Sequence, residues 1–155
     1  MTIDEPPPDE NLPPQDLHAE QSVLGGMLLS KIACDDAIEV LRPENFYRPA
    51  HELLSDTIAA IHLAGNPADA ITVADEMTKR GTLQRAGGQA YLHDLIQSVP
   101  TAANAGHYAA IVAEKATLRR LVEAGTRIVQ LGRGHGEGDV ADIVAHHWCD
   151  NGPPW

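Results

Sequence analysis

The chain has 155 residues, 43% of them hydrophobic but only 4% aromatic, so it suits one domain of ordinary size with an aliphatic core. A formal net charge of −11 argues against the broad phosphate-neutralising surface of a general nucleic-acid binder. Cys34 and Cys149 lie too far apart in sequence to suggest a disulfide framework, and no apolar run approaches the roughly 20 residues of a membrane span.

Residues 1–15 hold five prolines and six Asp, Glu, Asn or Gln residues, which predicts a disordered leader with transient polyproline II. It is acidic, the opposite of a signal peptide, so a soluble cytoplasmic protein is expected. Asp16 then caps a predicted helix in which Leu17, Gln21, Leu24 and Leu28 recur at helical spacing, ending near Ser30. Gly25 and Gly26 inside it would each cost about 1 kcal/mol against alanine, which points to close approach by another backbone.

A short helix is predicted from Cys34 to Leu41, before Pro43. The turn after it carries Phe46, expected in the core, and Tyr47, expected at its rim. His51 is expected to satisfy local backbone at a helix start. Residues 49–64 form the clearest amphipathic stripe, with Ala50, Leu53, Leu54, Thr57, Ile58 and Ile61 on one face. Gly65-Asn66-Pro67 stops it. Thr72 is expected to cap a fourth helix to Arg80, and Gly87-Gly88 leads into a fifth over Gln89–Ser98.

After Pro100, Thr101 or Asn104 opens a long helix to about Leu131, with Tyr108, Ile111, Val112, Leu118, Leu121, Val122, Ile128 and Val129 at spacings of three and four. The glycine-rich segment 132–138 is a predicted turn, and a last helix runs from Asp139 to about Trp148. No run of alternating β-branched residues predicts a strand. The expected fold is all-α: a leader (1–15), a compact helical head (16–100), a helical hairpin with a shortened second helix (101–150) and an irregular tail (151–155).

Four segments together resemble the amino-terminal domain of DnaB-type bacterial replicative helicases. They are Asp16-Leu17-His18-Ala19-Glu20-Gln21-Ser22-Val23-Leu24-Gly25-Gly26, Phe46-Tyr47-Arg48-Pro49-Ala50-His51, Gly81-Thr82-Leu83 with Gly87-Gly88-Gln89-Ala90-Tyr91-Leu92, and Val99-Pro100-Thr101-Ala102-Ala103-Asn104 followed by Leu118-Arg119-Arg120-Leu121. Order and spacing carry the resemblance from about Pro14 to Leu131. It implies dimers through heads and hairpins, a collar on a motor ring, and contacts with primase or a helicase loader in the primosome. It also implies an ATPase motor elsewhere in the family's chain. The motif Gly-x-x-x-x-Gly-Lys-Ser/Thr is absent here, so ATP hydrolysis and unwinding are not expected of these residues, and no cofactor is expected.

By the same resemblance, Ile111, Leu118, Leu121, Val122, Ile128 and Val129 are expected to pack hairpins in a homodimer or higher oligomer; Arg119, Arg120 and Arg127 either set register or partner choice or form a solvated helix face. A returning helix of about ten residues reaches about 15 Å, against about 42 Å for the helix before it, so much of the stripe is expected to stay uncovered within one protomer. Two roles are open within this reading, a fragment of a full helicase or a free-standing product that joins or competes with helicase collars, and the second is the expectation.

Rival readings have less support. His146, His147 and Cys149 do not converge on one helix face, so no metal site is expected. His93 and Asp94 are sequence neighbours on different faces, and no Gly-x-Ser-x-Gly elbow is present. A small helix-turn-helix DNA-binding regulator is the alternative, but residues 21–100 hold ten acidic and six basic residues with no basic recognition helix.

Overall fold

A computed structural model of the protein describes residues 12–135 and 139–151, with the side chains of 135 and 146–151 excepted. The leader as far as residue 11, the tail from residue 152 and the side chains of His146, His147 and Cys149, which the sequence gives no reason to read as metal ligands, fall outside what is described. Among the described residues the chain is all-α, as predicted, with seven α-helices and no strand. It divides into two compact units between Thr117 and Leu118, here termed the head and the arm.

Helix α1 (Leu17–Leu29) is the axle of the head. Asp16 is its N-cap, and its carboxylate accepts the amide of Ala19 at 2.9 Å. Every residue from Ser22 to Leu28 is buried, so α1 is enclosed on all sides and packs against α2, α3 and α5. Gly25 is where the enclosure is tightest. A Cβ there would overlap the carbonyl oxygen of Leu95 and the side chain of Val99, so only glycine lets α5 approach. Gly26 differs from expectation: its added Cβ would meet Ala105 at an ordinary 3.5 Å.

Helix α2 (Lys31–Val40) begins three residues before the predicted Cys34, because Ser30 both ends α1 and caps α2 by accepting the amide of Ala33. A 3₁₀ turn at Pro43–Asn45 then delivers Phe46 into the core. Helix α3 (Pro49–Leu63) buries Leu54 and Ile58 as its stripe predicts. Helix α4 (Ala70–Arg80) is capped by Asp69, not Thr72. The Asp69 carboxylate accepts the amides of Ile71 and Thr72, and the Thr72 hydroxyl accepts the amide of Asp69, a reciprocal capping box that places Thr72 inside the first turn. Helix α5 (Gly88–Ser98) closes the head against α1.

Helix α6 (Ala105–Gln130) runs through the division between the units. Its first turns bury Ala105, Ala109, Val112 and Ala116 in the head, so the head takes in part of α6 as well as the five helices before it. The arm holds the rest of α6, a π-helical turn at Leu131–His135, and α7 (Val140–Asn151), which runs three residues past the expected Trp148.

Candidate functional site

Two groups of side chains stand out, one in each unit. In the head, the carboxylate of Glu20 on α1 is buried beneath the start of α3. Helix α3 has no side-chain cap of its own. Glu20 on another helix instead holds the backbone that leads into it: Oε2 takes the amide of Tyr47 at 3.0 Å, and Oε1 lies 3.5 Å from the amide of Arg48. The same Oε1 lies 2.9 Å from Nδ1 of His51, which is fully buried.

On the other side of that ring, Nε2 of His51 lies 2.6 Å from the hydroxyl of Tyr91 on α5. The two rings are parallel, 3° apart, with centroids separated by 6.0 Å. Gln21 completes the chain, its amide Nε2 3.4 Å from the same hydroxyl. One assignment satisfies every group: Nδ1–H donates to Glu20, the Tyr91 hydroxyl donates to Nε2, and the Gln21 amide donates to the Tyr91 oxygen. Buried polar groups that all find partners tie three helices into one geometry.

His51 therefore does not serve local backbone as expected; it bridges α1 and α5. Sequence reasoning quoted Glu20, Tyr47, His51 and Tyr91 but did not join them. Their shared signal is that Glu20 lies in the first of the resembling segments, Tyr47 and His51 in the second and Tyr91 in the third.

This buried clasp of Glu20, His51 and Tyr91 lines neither of two grooves in the head. One groove of about 380 Å³ runs past Ser30, Lys31, Cys34, His62 and Asp69. Another of about 490 Å³ runs past Ile38, Leu41, Phe46 and Ala59. In the first, the Cys34 thiol donates to the carbonyl of Met27 at 3.0 Å, and burial, with a smaller push from Asp35, raises its pKa to about 11. A thiol held that firmly protonated is a poor nucleophile. Among the described residues no three His, Cys, Asp or Glu side chains gather as a metal ion would require.

The second group lies along α6. The six predicted interface residues Ile111, Leu118, Leu121, Val122, Ile128 and Val129 are all exposed, from 37 to 58%. Val112, one residue from Ile111, is buried. The helix thus carries two apolar faces. Small residues from Ala105 to Ala116 fill the head, and on an ideal helix the larger aliphatics from Leu121 to Val129 point roughly 170° away. Arg120 and Arg127 are exposed on the same stretch and Arg119 is half-buried. In the arm, Val140 and Val144 of α7 are exposed too. No described helix is long and apolar enough to cross a membrane.

Comparison with known proteins accounts for the head. The model of the DnaB-like helicase N-terminal domain matches residues 12–114, two thirds of the chain. The chain belongs to this family. It is 62% identical over 146 residues to the replicative DNA helicase DnaB of Mycobacterium leprae, covering 92% of this chain and 24% of that protein. Against the replicative DNA helicase DnaC of Bacillus subtilis the identity is 42% over 137 residues, covering 88% of this chain and 30% of the relative. The chain thus spans between a quarter and a third of these relatives' length, and the motor region of such helicases is not part of the match.

Among solved structures, the crystal structure of the N-terminal domain of DnaB helicase from Mycobacterium tuberculosis superposes with a TM-score of 0.83 at 60% identity, covering 89% of this chain and 96% of that one. A DnaB-like replicative helicase, described together with its interactions with primase, superposes with a TM-score of 0.66 over 88% of this chain and 35% of its own. At 22% identity that likeness concerns the fold. The DnaB-like N-terminal fold is therefore the frame in which both the clasp and the exposed α6 face are placed.

Proposed function

We propose that this chain is a non-catalytic scaffold of a replicative helicase assembly, whose arm pairs with a second copy and whose head receives a primase or a helicase loader. The observation that carries this reading is the aliphatic face of α6, which the chain leaves half-exposed over three turns. Water disfavours such a face at roughly 25 cal/mol per Å², so a covering partner gains that energy less the cost of association. The polar groups of the head support the same reading, because the buried clasp spends its hydrogen bonds on holding helices together. The primase part rests on the DnaB-like helicase whose structure is described with primase, and is carried to this chain as a proposal.

Light scattering across concentration tests the pairing. The expected result is a dimer or larger oligomer that Leu121→Asp converts to monomer while the circular dichroism of the head is kept. A monomer at every concentration rejects the pairing. Co-elution with a replicative helicase and a primase from the same cells tests the scaffold role, and failure with both rejects it.

A further inference from the structure

We draw no further inference here: the strongest candidate, the apolar groove of about 490 Å³ between α2 and α3 that Ile38, Leu41, Phe46, Ala59 and Leu63 line, carries nothing because nothing in the structure shows what covers it.

Discussion

Helices α3 and α6 carry the same sequence signal and meet different fates. On α3, the apolar stripe is drawn into the core, with Leu54 and Ile58 at 0% exposure and Leu53 and Ile61 half-buried beside them. On the second half of α6, the same spacing leaves Leu121 and Val122 at 58 and 53%. The head has the other α-helices to lay over any apolar face, whereas among the described residues of the arm only α7 is at hand. Periodicity therefore says that a face wants covering. What covers it depends on how much chain is nearby.

Paired truncations break this comparison most sharply. Leu54→Ala should cost the head about 2–5 kcal/mol in urea unfolding, since it removes a buried side chain and leaves a cavity. Leu121→Ala should cost the head less than about 0.5 kcal/mol, as surface changes do, and should act instead on the concentration at which the chain associates. An equal loss of head stability from both would mean that α6 is packed inside the protomer after all.

The clasp sharpens the contrast from the polar side. Glu20→Ala removes the acceptor for the Tyr47 amide and for His51 Nδ1, both buried or half-buried. Leaving such groups without partners should cost about 3 kcal/mol. Glu20→Gln keeps the shape and one acceptor oxygen and should recover part of that loss. Tyr91→Phe deletes only the outer hydroxyl and should cost about 1 kcal/mol. No comparable network of buried polar groups is described in the arm, so polar substitutions there should leave unfolding of the head unchanged.

The order of effects follows what the sequence made legible. The helices, the cap at Asp16 and the aliphatic faces could be read because propensity and spacing act locally. The caps could be read only in part. Ser30 serves two helices at once, and Asp69 was overlooked for Thr72, three residues on, because both members of a capping box look like caps in isolation. The clasp could not be assembled, because Glu20, His51 and Tyr91 are 31 and 40 residues apart and meet only once α1, α3 and α5 are packed.

The mildest of these probes is alkaline pH. Cys34 lies in the head, and its pKa is raised from 9.0 to about 11 by burial and, secondarily, by Asp35. An unfolded chain ionises this thiol first, so the native state holds the proton more tightly and gains stability from it. That stability is complete below pH 9 and is lost as pH rises towards 11. By pH 10 the loss attributable to this thiol should be about 1.4 kcal/mol, one pKa unit's worth. Other groups titrate in the same range, so the quantity to measure is the difference between the parent and Cys34→Ala in a Cys149→Ser background. The gap between their unfolding free energies should change by that amount between pH 8 and 10. A thiol reagent at pH 8 should label native Cys34 slowly and label it at once in urea, because the hydrogen bond to Met27 and the surrounding α1 and α2 side chains must open first. Fast labelling of the native protein would show that the head admits solvent along α2. The head would then share some of the openness that otherwise sets the arm apart.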